Sequence, residues 1–276
     1  MHKSKKSSGK NMTVLTILGC KMLQDEIVWL FENDSQIDNI IVLETGEHLE
    51  FIEKLDEQKI SYELQPSDAQ PIVPENEEDF TIIVNIVELG LHMYPNDLKA
   101  YMHEEIERTA LYSDGILLFY GLCGNALEKI EEKFESLANG CKVRILRDND
   151  GRVVDDCIGA TVGGCASYLK LLTANSKEPA MFFTPMFARY WNEIDKISDY
   201  SKDPEEQIKM HKMLLDAANY SRVAKVKTGL TYTRDFDEKI EEYAKIFGFS
   251  IFEIEGNQEI FENCYDSIKK ELLSSD

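Results

Sequence analysis

The chain has 276 residues, of which 43% are hydrophobic and 29% charged. That length suits one large α/β domain or two small ones, and that apolar content excludes global disorder. Acidic residues outnumber basic ones by 51 to 30, a net charge of −21, which leaves no positive field for holding nucleic acid or an anionic membrane.

Residues 1–11 read as a basic tail, with Lys3, Lys5, Lys6 and Lys10 among serines. The apolar stretch 12–20 is short, β-branched and without a small-residue cleavage site, so it reads as a first strand and not as a signal peptide. No apolar run reaches the length that spans a bilayer. The expected location is therefore cytoplasmic, with neither membrane nor nucleic acid as partner.

From there apolar runs alternate with helical spacing. Residues 13–19 (T-V-L-T-I-L-G) predict a buried strand, and 24–32 a helix carrying Ile27, Leu30 and Phe31 on one face. Residues 39–43 predict a second strand, 48–58 an amphipathic helix, and 60–64 a third strand. Pro66, Pro71 and Pro74 mark a long loop over 65–78, read as a lid or a variable excursion. A β-branched strand follows over 80–89, then a helix over 96–111 behind Pro95. Residues 114–120 (D-G-I-L-L-F-Y) predict the clearest buried strand, followed by a helix over 126–138 and a strand over 141–146. The D-N-D-G-R stretch at 148–152 is a turn, and 155–165 leads into a helix ending at 172. The remainder reads as a strand over 180–184, a helix over 204–219, a strand over 223–228, a helix over 235–247, a strand over 249–254 and a helix over 258–273.

Strands alternating with helices predict parallel pairing, and near-continuous apolar strands predict a sheet covered on both faces. The expected fold is therefore a mostly parallel, Rossmann-like doubly wound α/β sheet. Residues 12–175 form its first part. Residues 176–276 form a C-terminal α/β half, read as continuous with the same fold or as a subdomain.

Ligands of open parallel sheets bind at the carboxyl ends of the strands. Three of the six cysteines fall there: Cys20 after the first strand, Cys123 after the Asp114 strand, and Cys157 at the next helix start. With no export signal, a disulfide framework is a poor reading for them. Three thiolates from separate turns suit zinc with an exchangeable fourth position, or an iron–sulfur cluster with one non-cysteine iron ligand. The competing reading is three small core residues at tight turns. Gly121 and Gly124 flank Cys123 and let backbone N–H groups approach a ligand, with Asn125 beside them. Arg147 and Thr184 close two further strand ends and join these three as candidate ligand contacts. Arg144 and Arg152 read as surface ion-pair residues, and Cys141 and Cys264 as core. Cys165 reads as packing, and His92 as a ligand, a base or a loop-bonded side chain. Tyr190 and Trp191 wall a pocket or fill core. Phosphate-loop, dinucleotide, C-x-x-C, H-E-x-x-H and G-x-S-x-G motifs are all absent.

At Tyr120-Gly121-Leu122-Cys123-Gly124-Asn125 the sequence resembles an uncharacterised domain family of methanogenic archaea and other anaerobes, whose function is unknown. Gly19-Cys20, Asp156-Cys157-Ile158, Thr184-Pro185 with Tyr190-Trp191, and the stretch 220–229 are similar to further blocks of that family. The resemblance spans about residues 14–268. The family's proline–arginine–x-histidine approach to its aspartate–cysteine turn is missing here, where a longer turn intervenes. The resemblance implies that Cys20, Cys123 and Cys157 belong together, and the family's gene neighbourhoods imply anaerobic one-carbon metabolism alongside corrinoid methyltransferases. Two functions follow as expectations. One is a metal-binding protein using zinc or an iron–sulfur cluster for thiol or methyl-group chemistry on a small-molecule ligand. The other is a non-catalytic accessory or binding module for a corrinoid or methyltransferase protein; the D-x-H-x-x-G signature of direct corrinoid ligation is absent.

Overall fold

A computed structural model of the chain describes residues 12–74, 76, 79–137, 139–174, 177–194 and 203–274. The basic tail at 1–11 and the side chain of His92 lie outside the described residues. Six strands form one all-parallel sheet: β1 (Thr13–Cys20), β2 (Asn39–Glu44), β3 (Glu63–Pro66), β4 (Phe80–Val87), β5 (Gly115–Phe119) and β6 (Lys142–Ile145). Their spatial order is β3-β2-β4-β1-β5-β6. The central strands β4 and β5 are buried at every position, so they lack the alternation of a half-exposed sheet. Helices cover both faces, as a doubly wound fold requires.

The order places β1 between β4 and β5. The chain leaves β1 toward β2 and β3, returns through β4, and continues past β1 to β5 and β6. Connections on the two sides of β1 therefore run in opposite directions. The crevice that such a reversal opens lies at the carboxyl ends, beside Cys20.

After β1 a 3-10 turn, Lys21–Leu23, leads into α1 (Gln24–Asn33), and α2 (His48–Gln58) follows β2. A second 3-10 turn, Leu89–Met93, precedes α3 (Pro95–Thr109), which starts on proline as the sequence predicts. The helix expected over 126–138 shrinks to α4 (Ile130–Lys133). The cause is local: Cys123, Gly124, Asn125 and Lys129 all have positive φ, and such a run cannot propagate a right-handed helix. The third strand sits at 63–66 and not 60–64, on the sheet's short, largely exposed edge.

Two short helices, α5 (Cys157–Thr161) and α6 (Cys165–Ala174), lead to a separate three-stranded parallel sheet. Its strands are β7 (Ala180–Phe183), β8 (Arg222–Lys227) and β9 (Ser250–Glu255), in that order. One face is packed by α7 (Pro185–Ile194), α8 (Pro204–Ala217) and α9 (Phe236–Phe247), with Phe183, Tyr243 and Phe247 fully buried. The other face meets Ile158 and Val162 around α5 and Tyr168 of α6. The last helix, α10 (Glu259–Leu273), returns to the first sheet. There Phe261 stacks on Phe119 at 5.3 Å, and Gly115 leaves room for Leu272 and Ile268. Among the described residues no helix is long and apolar enough to cross a membrane.

Candidate functional site

Three turns bring the cysteines to the carboxyl edge. Cys20 ends β1, and Gly19 before it is pressed so closely by Ile27 that a β-carbon there would sit 2.7 Å from Ile27 Cδ1. Cys123 stands in a left-handed run, with φ of 45° at Cys123, 68° at Gly124 and 66° at Asn125. That run turns the chain sharply after β5 and lays it along residues 154–156. The Leu122 N–H donates to the Val154 carbonyl at 2.8 Å, and the Cys123 N–H to the Asp155 carbonyl at 3.0 Å. Gly121 is required by this docking, because a β-carbon would sit 2.7 Å from backbone atoms of both Asp156 and Val154. Asp156 then caps α5, its carboxylate accepting from the Gly159 N–H at 2.7 Å, which sets Cys157 as the first helical residue.

Cys20 and Cys123 are buried, and Cys157, partly exposed, packs against both the first sheet's core and the layer under the second sheet. The three thiols feel one another. Burial pushes the Cys20 thiol up to about 11. Burial, then Cys20 and Asp156, push Cys123 higher. Burial, Asp156, Cys20, Cys123 and Glu26 together raise Cys157 well above the ordinary thiol range. Tyr120, which hydrogen-bonds Cys20, is raised by burial and by the charges of Cys20 and Cys123. Burial above all, and then the repulsion between neighbours that would both ionise to anions, keeps the thiols protonated in the absence of a cation.

The first turn of α1 adds buried polar groups that the sequence reading passed over. Gln24, Asp25 and Glu26 are each at most 2% exposed, and Gln24 Nε2, Asp25 Oδ2 and Glu26 Oε2 have no hydrogen-bond partner. Burial, then the neighbouring Asp25, push the Glu26 carboxyl up to about 8, with Lys54 opposing. Asp25 is better served. Its Oδ1 accepts from Lys54 Nζ at 2.8 Å and from Thr233 Oγ1 at 3.1 Å. The available signal was a Gln-Asp-Glu run directly behind a strand-end cysteine, at a helix start where carboxylates are favoured.

The second part of the chain roofs this edge. Lys54 Nζ also lies 2.9 Å from Met186 Sδ of α7 and 3.3 Å from Glu50 Oε1. Arg189 of α7 bridges Glu50 and Asp235, and the Tyr190 hydroxyl donates to Glu50 Oε2 at 2.6 Å. Lys21 Nζ sits 4.0 Å over the Tyr190 ring. Trp191 instead fills the aromatic core with Tyr243 and Phe247.

The other candidates have local duties. Thr184 is buried and its Oγ1 accepts from the Phe187 N–H at 3.3 Å, capping α7. Arg147 pairs with Glu131 and donates to the Gly151 carbonyl at 2.7 Å, on the outer strand's hairpin. Arg144 pairs with Glu271 and Arg152 with Asp150. Cys165 turns to the Val153 carbonyl at 3.4 Å, Cys264 contacts the Arg147 backbone, and Cys141 is core. A cleft of about 380 Å³ lined by Trp191, Ile208, His211 and Glu242 contains no thiol.

As the side chains stand, no three His, Cys, Asp or Glu groups among the described residues form a ready-made metal-ligand set. The donor chemistry nevertheless fits a soft divalent ion or cluster. Three thiols and a buried carboxyl oxygen without a partner lie toward one edge of the sheet, and sulfur donors suit such ions.

The fold defines a class: a parallel, doubly wound α/β protein whose six-stranded main sheet is joined by a second, three-stranded parallel sheet. The model of the family described as "Protein of unknown function (DUF1638)" matches residues 86–265, and the chain belongs to that family. The matched stretch contains Cys123 and Cys157; Cys20 and Glu26 precede it. No curated protein and no solved structure matches the chain.

Proposed function

We propose that the protein binds a metal centre, zinc or an iron–sulfur cluster, through Cys20, Cys123 and Cys157, and uses it for thiol or methyl-group chemistry in anaerobic one-carbon metabolism. What supports the reading is the approach of three thiols, carried by three separate turns, to the same carboxyl edge of the first sheet, near enough for Cys20 and Cys123 to raise the Cys157 thiol. A buried group of protonated thiols contributes little to stability beyond its apolar area, whereas the same group around a cation becomes a strong ligand set. The resemblance to a family of anaerobes supports the metabolic setting. Bound at such an edge, a metal would lower the pKa of a substrate thiol or water, or carry an electron. The chain's own residues hold the thiols at these turns.

The test is metal and acid-labile sulfide analysis of protein purified without oxygen, with Cys141→Ser as a control for loss of a buried thiol elsewhere. The expected result is stoichiometric metal in the parent and in Cys141→Ser, and loss of metal in Cys123→Ser. Iron with sulfide identifies a cluster; zinc without colour identifies a single ion. Metal-free parent protein that still fails to take up zinc or iron, or full retention of metal by Cys123→Ser, overturns the reading.

A further inference from the structure

We infer that Glu26 is the fourth protein donor of this site, an exchangeable carboxylate ligand to a single divalent ion held by Cys20, Cys123 and Cys157. The inference rests on the thiolate reading above and adds a residue and a coordination number to it.

Glu26 lies six residues after Cys20, in the first turn of α1, on the same carboxyl edge of the sheet. It is 2% exposed and its Oε2 meets no hydrogen-bond donor. A carboxyl oxygen left unpaired in the interior is costly, and natural proteins keep such groups where something binds them. Glu26 is a near neighbour of both Cys20 and Cys157, and after burial and the closer groups it adds to the rise of both thiols. Asp25 next to it is a poorer candidate, because Lys54 and Thr233 already hold its Oδ1.

Three thiolates and one carboxylate make four donors, the number that a tetrahedral zinc-class ion takes. A cation would draw the side chains inward by rotamer changes about backbone positions that the three turns already fix. Oxygen is the harder and more weakly held donor among sulfurs. An incoming thiol would displace Glu26 from the ion, and the freed carboxylate would take the thiol's proton. The balance is simple: one oxygen–metal bond breaks, one sulfur–metal bond forms, and one proton moves from sulfur to carboxylate.

The experiment is titration of metal-free protein with cobalt(II), read by the sulfur-to-cobalt charge-transfer band and the visible d–d bands. The parent should show both, with tetrahedral d–d intensity. Glu26→Gln should keep the charge-transfer band, shift the d–d bands, and bind about 10-fold to 100-fold more weakly, the loss typical of disturbing a metal site. Glu26→Cys should raise the charge-transfer intensity by about one-third, as three thiolates become four. Circular dichroism of each metal-free variant separates these effects from unfolding. Unchanged affinity and unchanged d–d bands in Glu26→Gln, together with no gain in Glu26→Cys, overturn the role of Glu26 while leaving the three-thiolate site standing. Absence of any charge-transfer band in the parent overturns both.

Discussion

A β-carbon on Gly121 would sit 2.7 Å from the Asp156 amide nitrogen and from the Val154 carbonyl oxygen. Both are backbone atoms in the segment that accepts hydrogen bonds from Leu122 and Cys123, so neither can move without breaking that docking. Gly121→Ala should therefore destabilise the fold by about 1–3 kcal/mol, the usual cost of forcing extra volume into a packed site. It should also separate Cys123 from Cys157. Urea unfolding measures the first effect, and weakened cobalt binding in the still-folded fraction measures the second. Glu26 gives a second prediction at this scale. Its folded-state value of about 8 lies above its ordinary 4.5. Between those pH values the unfolded chain releases the proton and the folded chain keeps it, so this group's contribution to stability falls as pH rises. Metal-free Glu26→Gln should match the parent near pH 4 and exceed its stability at pH 8 by roughly 3–5 kcal/mol. Urea midpoints across that range read the difference, and parallel curves for the two proteins would refute it.

At the scale of the element, the two helices behind β1 and β2 are held by one buried cation. Lys54 of α2 is 3% exposed and meets Asp25 of α1, Glu50 and the sulfur of Met186. Removing it leaves the Asp25 carboxylate buried with only Thr233 for company. Lys54→Met should cost about 3–5 kcal/mol at neutral pH, the penalty for breaking a buried pair from one side. Thermal unfolding of the two proteins at neutral pH checks the loss. This contact also marks where the sequence stopped being legible. The buried strands β1, β4 and β5 were readable because an unbroken apolar run has no other stable home. β3 was misplaced because a short exposed edge strand carries no such run. The helix after Asn125 was over-read because nothing in its apolar spacing shows the left-handed residues before it. The positions of Cys20 and Cys123 behind strands and of Cys157 at a helix start were readable, since strands alternating with helices put their turns at predictable places. Glu26 and Lys54 were not, because a Glu or Lys on an amphipathic helix reads as solvated until a second layer, here α7, covers it.

At the scale of the whole molecule, the order of the chain and the order of its parts disagree. The second sheet is inserted between α6 and α10, and α10 goes back to complete the first sheet's cover. Ile260, Phe261, Tyr265 and Ile268 of α10 are each at most 2% exposed, packed with Phe119 and under Gly115. Tyr265 and Lys269 both reach Asp34 at the end of α1, which ties the last helix to the first. Burying those four side chains is worth about 1.5–3 kcal/mol each. The total is comparable with the 5–15 kcal/mol that hold a typical domain together. A chain ending at residue 257 should therefore fail to fold its first sheet, even though all six strands of that sheet are present. Near-ultraviolet circular dichroism and limited proteolysis of the shortened chain make the test. Loss of the aromatic signal and cleavage within 80–145 are the expected results, and a native-like spectrum would show that the first sheet stands without α10. The same truncation bears on the site. The thiol turns hang from β1 and β5, and α10 packs on β1, β5 and β6. A shortened chain that keeps its secondary structure should thus still lose its cobalt charge-transfer band, because the turns would no longer be held at a common edge.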